Sequence, residues 1–225
     1  MTKAFGLTLL AAVLVGCGST HGIATVWVTR DRGAQVLLVR HVPAGLTAMQ
    51  GLERVAHVQT RYAGRFVQAI DGVAGSLTRQ QDWFYFVNGY EADRSAAEYR
   101  LHPGDVEWWD YRPWRDLMQV PVVVGMFPEP FLHGWDGRSR DTVVVAPPDL
   151  AANARAVAAA VHGDALTAKG VVVPQGDNVI FLERGPPSVR ARGGTHPGAP
   201  VTFDVHAPGG ALTVLRAARF RYSVP

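Results

Sequence analysis

Cysteine is almost missing from this chain: Cys17 is the single one among 225 residues. With no second thiol, an intramolecular disulfide is excluded, so the fold must be held by burial. Histidine occurs eight times, but never as His-x-His or His-Glu-x-x-His. That excludes a metal site readable from local spacing and leaves only one assembled in three dimensions. There is no Gly-x-Ser-x-Gly elbow, no phosphate-binding loop and no cysteine placed as a nucleophile, so no catalytic residue is assigned from motifs. Charge is sparse and nearly balanced, 22 Lys and Arg against 19 Asp and Glu for a net of +3, which argues against a nucleic-acid partner. No low-complexity tract and no internal repeat is present.

Long apolar runs are also lacking. The longest, residues 4–15, follows Lys3 and is interrupted only by small residues and Thr8; a permanent span needs roughly 20 apolar residues. A charged start followed by a short greasy stretch is the layout of an export signal. It ends in Leu14-Val15-Gly16-Cys17, which resembles the bacterial lipobox, where a cysteine behind small residues is acylated before the signal is removed. The expectation is a signal peptide at 1–16, lipidation of Cys17, a tether at 17–23 and an extracytoplasmic protein held on the bacterial membrane by its lipid.

What is plentiful is apolar and aromatic: 48% of residues are hydrophobic and there are six Trp, most of them in the first half. The remainder is an ordinary globular composition, long enough for two small domains, taken here as 24–116 and 117–225. In the first, residues 24–28 alternate as a strand does, and Asp31-Arg32-Gly33 turns the chain into a second strand at 35–40. Thr47 is placed to cap a helix over 46–60 with Met49, Leu52, Val55 and Ala56 on one face. Strands follow at 66–70, ending in Asp71-Gly72, and at 83–87, running into the hairpin dipeptide Asn88-Gly89. Gly104-Asp105 then launches a strand over 106–111. Hairpins around one covering helix predict an α+β fold with a β-grasp-like N-terminal sheet.

Three motifs in this order, an Ile-Asp-Gly strand end, Trp83-x-Tyr85-x-Val87-Asn88-Gly89, and Gly104-Asp105 leading to Trp109-x-Tyr111, resemble the transcobalamin-like C-terminal domain over about 24–114. That family is a β-grasp module that closes over cobalamin, so the resemblance implies a corrinoid-like ligand and no resident cofactor. Glu107 departs from it, standing where the family has an aliphatic residue. In the vitamin carriers the ligand is also held by a large helical barrel, which this chain is too short to supply.

Side chains alternate across a strand, so Glu107, Trp109 and Tyr111 share one face, and Trp108 and Asp110 the other. Trp83 and Tyr85 likewise oppose Phe84 and Phe86. One helix covers one face, so the remaining rings must be exposed, be covered by the second domain, or meet a ligand. The candidate ligand-binding residues are Trp83, Tyr85, Asn88, Trp108, Trp109, Tyr111 and Arg112, with Arg94 and Arg115 near the rim.

The second half predicts a small α/β or α+β domain: strands at 120–124, 142–146, 171–173, 179–182, 201–205 and 212–215, a helix at 150–161 capped by Asp149, and a loop over 185–200. Its one crowding of acid, base and cation is Glu129, His133, Asp136, Arg138 and Asp141 on an irregular loop. A hydrolase would require a carboxylate and His133 within hydrogen-bond reach in a cleft. The leading expectation is a lipid-anchored module that captures or presents a small ligand; the alternatives are an envelope scaffold or adhesion protein whose aromatic face is an interface, and, least favoured, that hydrolase.

Overall fold

The structure, a computed structural model, describes residues 22–167, 173, 175–207 and 210–225. The expected signal, Cys17 and most of the strand expected at 171–173 lie outside these residues.

The chain is mixed α/β, with three sheets and few helices. Strands β1 (Ile23–Arg30) and β2 (Gln35–Pro43) form the first hairpin. Its turn depends on Gly33, at φ +80°, where a Cβ would stand 1.5 Å from the carbonyl oxygen of Phe220. Helix α1 (Ala48–Glu53) carries the expected cap: Gln50 N–H donates to Thr47 Oγ1 at 3.2 Å, and Thr47 N–H to Gln50 Oε1 at 3.0 Å. The helix is far shorter than the expected 46–60. After Arg54 the chain is pulled back by Asp71, whose carboxylate accepts His57 N–H at 2.8 Å, and β-branched Val58 and Thr60 enter strand β3 (Val58–Arg61).

Strand β3 pairs with β4 (Phe66–Ile70), and β4 with β5 (Val73–Ala74), all antiparallel, as a small three-stranded sheet. Strand β6 (Gln81–Val87) turns at Asn88-Gly89 into β7 (Tyr90–Glu91). Both turn residues have positive φ, 48° and 86°, as a two-residue hairpin requires. Strand β8 (Val106–Pro113) then enters the middle of the large first sheet, whose order is β2-β1-β8-β6-β7, with β1 and β8 parallel.

The second half begins with a correction. Residues 120–124 form no strand; Pro121 lacks a donor for a ladder, and the segment makes a single bridge, Tyr90 to Val122, before a 3-10 turn at Val124–Met126. Strand β9 (Thr142–Val145), helix α2 (Ala151–Ala160), β10 (Asp164–Leu166), β11 (Asn178–Glu183), β12 (Ser188–Arg192) and β13 (Thr202–His206) build a sheet in the order β10-β9-β11-β13-β12, parallel except for β12. Three more expectations are revised. Asp149 does not cap α2: it lies in a 3-10 turn and pairs with Arg184 at 2.7 Å. The 185–200 loop contains β12. Residues 212–215 belong to helix α3 (Ala211–Ala217), because Ala211, Leu215 and Ala218 recur at helical spacing and are the buried positions.

Each large sheet draws its strands from one half of the chain, yet a continuous buried cluster joins them. It runs from Val26, Leu52 and Trp109 through Tyr90, Tyr99 and Trp135 to Phe131, Phe203 and Val157. Phe131 meets Phe203 edge-on at 4.9 Å between ring centres, and the Tyr90 hydroxyl donates to the Ala199 carbonyl at 3.1 Å.

Candidate functional site

The alternation along β6 and β8 sends their aromatic rings to opposite sides of the first sheet. On the back, Trp27, Phe86 and Trp108 pack with Val120, Val123, Met126 and Tyr222 from the second half. Trp108 is fully buried. Its indole N–H donates to Thr29 Oγ1 at 2.7 Å, and the Thr29 hydroxyl donates in turn to Asp110. Asp110 also accepts the backbone N–H groups of Arg32 and Gly33 and the Tyr222 hydroxyl, at 3.0, 3.1 and 3.0 Å. Burial pushes the Asp110 carboxyl up, while these donors hold it down. The back face is therefore an interface between the two halves, anchored on one buried carboxylate.

Two other candidates turn out to be internal supports. Arg112 is wholly buried; its guanidinium lies 3.7 Å from the Phe84 ring centre and donates to the carbonyls of Leu117 and Met118. That geometry pins the 114–119 loop rather than presenting a cation to a ligand. Asn88 is equally buried, donating to Asp105 at 2.7 Å and to the Gly134 carbonyl at 3.0 Å, while accepting Val106 N–H at 2.8 Å.

On the front, Trp83, Tyr85, Trp109 and Tyr111 lie with α1. Tyr85 stacks on Trp109 at 4.8 Å and 17° between planes, and Trp83 and Tyr111 tie their polar ends to the carbonyls of Val73 and Ala74. Trp83, Trp109 and Tyr111 are buried and Tyr85 is half-buried. A cavity of about 470 Å³ opens beside them, lined by Trp83, Phe84, Tyr85 and Trp109 together with Met49, Phe66, Arg65 and the 91–96 segment. Three consecutive residues can line one cavity only along a strand edge, since side chains alternate. Here that edge is β6, left open where β7 ends after two residues. A second cavity of about 320 Å³ adjoins it, sharing Phe84, Glu91, Ala92 and Asp93. Of the seven ligand-binding candidates from the sequence, three meet at the first cavity; Met49, Phe66 and Ala96 come to it from other elements, and no local pattern marks them for it.

The charges around this cavity are mostly spent on one another. Arg65 pairs with Glu98, and Arg94 with Asp93 and Asp136. Burial holds the Glu91 carboxyl above its usual range, with the Val120 N–H and Arg112 acting in the opposite sense. Tyr85 is pushed well above the ordinary phenol range, first by burial and then by Glu107. Glu107 itself is fully buried under the sheet and held well above the carboxylate range by desolvation. It accepts the Trp109 indole N–H, and its other oxygen has no partner among the described residues.

The 129–141 loop does bring Glu129 and His133 together. The buried Glu129 carboxylate accepts both the His133 backbone N–H, at 2.9 Å, and the imidazole Nδ1–H, which raises the His133 pKa. No hydroxyl side chain hydrogen-bonds His133 among the described residues, and neither of the two cavities above reaches it. Asp136 instead lies inside a turn closed by the Trp135–Arg138 bridge, with Arg94 over the Trp135 ring at 5.5 Å. Among the described residues, no group of three or more His, Cys, Asp or Glu could hold a metal ion, and no helix is long and apolar enough to cross a membrane.

Residues 45–112, from the loop before α1 to the end of β8, match a family described as a domain of unknown function, DUF4430. Among solved structures, a protein of Ruminococcus gnavus ATCC 29149 proposed to bind metal is similar at 20% identity, over 41% of this chain and 98% of its own, with a TM-score of 0.34. No curated protein matches the chain.

Proposed function

We propose that this chain is a lipid-anchored extracytoplasmic binding module, built on a β-grasp-like domain of the transcobalamin-like kind, that captures a small, largely apolar ligand at the open edge of β6. The observation that carries the reading is the cavity of about 470 Å³ where Trp83, Tyr85 and Trp109 converge. Its size falls within the range of about 300–1,000 Å³ usual for small-molecule sites. Its lining also has their character, with aromatic walls and paired charges at the rim. Stacked rings offer a ligand large contact area at small entropic cost. The motif resemblance supplies one ligand class, corrinoids, which would enter this cavity by one edge of the macrocycle. A metal ion as sole ligand has no supporting cluster of side chains among the described residues.

The test is intrinsic Trp fluorescence of the chain from residue 18 onward, titrated with cobalamin and cobinamide and corrected for their absorption. Saturable quenching that is lost in Tyr85→Ala, with Trp108→Phe unaffected, is expected for a corrinoid at this cavity. Quenching that does not saturate would remove the corrinoid. A screen of small aromatic ligands that also left the fluorescence unmoved would overturn the binding module.

The scaffold reading draws support from the back face, where the aromatics already serve as an interface between the two halves. It accounts for Trp27 and Trp108, but leaves the front cavity without a role.

A further inference from the structure

The polar side chains that line the front cavity are already engaged with the protein. The indole N–H groups of Trp83 and Trp109 go to the Val73 carbonyl and to Glu107, and the hydroxyls of Tyr85 and Ser95 to the carbonyls of Arg94 and Arg65. Arg65, Arg94 and Asp93 are in ion pairs, and Glu91 accepts the Val120 N–H. Whatever hydrogen bonding the cavity offers a ligand therefore comes from the backbone of β6.

The register fixes which of its groups are free. Asn88 N–H donates to the Val106 carbonyl at 2.9 Å, and that pair continues the ladder in which Phe86 faces Trp108 and Phe84 faces Asp110. Hydrogen-bonded pairs alternate along an antiparallel ladder, so Phe84 and Phe86 turn their backbone groups toward β8, while Gln81, Trp83, Tyr85 and Val87 turn theirs to the opposite edge. Most of that edge is taken. Gln81 exchanges hydrogen bonds with Ser76 at 3.1 and 2.8 Å, Val87 pairs with Tyr90, and the Tyr85 carbonyl accepts Ala92 N–H at 3.1 Å. Trp83 N–H goes to Asp82 Oδ1 at 2.9 Å. Among the described residues, the Tyr85 N–H has no acceptor and the Trp83 carbonyl no donor.

A carbonyl at one residue and an N–H two residues on, along one edge, is the half of a parallel ladder that a single added residue completes. We propose that the cavity takes an N-acylated amino acid or dipeptide, whose last residue lies opposite Phe84, donating its N–H to the Trp83 carbonyl and accepting the Tyr85 N–H. The proposal rests on the binding-module reading and names its ligand class. Edge pairing of this kind is how sheets recognise extended peptides, but here Ser76 at Gln81 and Ala92 at Tyr85 close the edge on both sides, so a long strand is excluded. Side chains alternate across the sheet. The last residue's side chain thus falls on Phe84's side, where the second cavity is lined by Phe84, Met118 and Pro121, and its acyl group falls at the front beside Trp83, Tyr85 and Trp109. The two cavities that share Phe84 are accordingly the two halves of one site.

The experiment titrates the chain from residue 18 onward with acetyl-phenylalanyl-leucine amide, followed by Trp fluorescence, and with its ester analogue, in which oxygen replaces the leucine N–H. Saturable quenching is expected from the amide, with the ester weaker by about tenfold or more for the lost hydrogen bond. Amide hydrogen exchange reads the clamp directly: under saturating ligand the Tyr85 N–H should exchange about tenfold more slowly or better. Equal affinity for amide and ester, or unchanged Tyr85 exchange with the ligand bound, overturns the proposal. The amide-free apolar probe 1-anilinonaphthalene-8-sulfonate separates this from the reading beneath it. If that probe binds, is lost in Tyr85→Ala and is not displaced by the dipeptide, the clamp fails and the binding module stands; if neither compound binds, both fail.

Discussion

Both faces of the first sheet carry tryptophan, but they meet different neighbours. Behind β8, Trp108 is sealed by residues 120–126 and by Tyr222 near the end of the chain; in front, Trp109 stacks on a Tyr85 that still reaches a cavity. Two adjacent tryptophans on one strand therefore have different surroundings, and what separates them is the covering layer rather than their own chemistry. A closed face converts aromatic area into stability, whereas a face left open at a strand edge keeps some of that area for another molecule.

The strongest way to break this contrast is to empty the back. Trp108→Ala removes a fully buried indole and leaves the Thr29 hydroxyl without its donor; destabilisation of about 3–5 kcal/mol is expected in urea unfolding. Asp110→Ala strips the acceptor shared by Thr29, Arg32, Gly33 and Tyr222 and should cost about 3 kcal/mol or more, because several buried donors are left unpaired. Its effect should extend to the C-terminal residues, seen as faster amide exchange around Tyr222. On the front, Tyr85→Ala is expected to cost only about 1–2 kcal/mol, since the ring is half-buried, while abolishing ligand-dependent quenching. A cost for Tyr85→Ala equal to that of Trp108→Ala would erase the distinction between the faces.

A smaller effect concerns Glu107. Its folded pKa stands above the unfolded value of 4.5, so between those two pH values the folded chain holds a proton the unfolded chain has released, and stability falls as pH rises through that window. Glu107→Gln should flatten this slope in denaturant midpoints measured from pH 4 upward, as the amide keeps an acceptor for Trp109. The smallest effect belongs to His133, raised from 6.5 by Glu129. Its pair stabilises fully below pH 6.5 and loses that contribution as pH climbs through the raised value. Glu129→Gln should remove the dependence without creating or destroying any hydrolytic activity.

Local signals were legible where a single residue type answers a local demand. Thr47 announced the cap of α1, and Asn88-Gly89 announced the β6–β7 turn, because a cap and a positive-φ turn are decided by neighbours within a few positions. The misreadings share a non-local cause. The helix expected to reach residue 60 stops early because Asp71 holds His57; the apolar run at 120–124 reads as a strand but serves as a lid; and 212–215 reads as a strand but coils to bring Leu215 into the core. Arg112 reads as a ligand-binding candidate because nothing nearby in sequence announces the Leu117 and Met118 carbonyls as its acceptors.

The sequence by itself determined the alternation that splits the aromatics between two faces, the Thr47 cap, the Asn88-Gly89 turn, and the absence of an intramolecular disulfide, since each follows from residue identity and from the period of a strand. Only the tertiary structure decided which face is closed and where the cavity opens. Those outcomes depend on strand order and register across distant segments, and no local pattern encodes them.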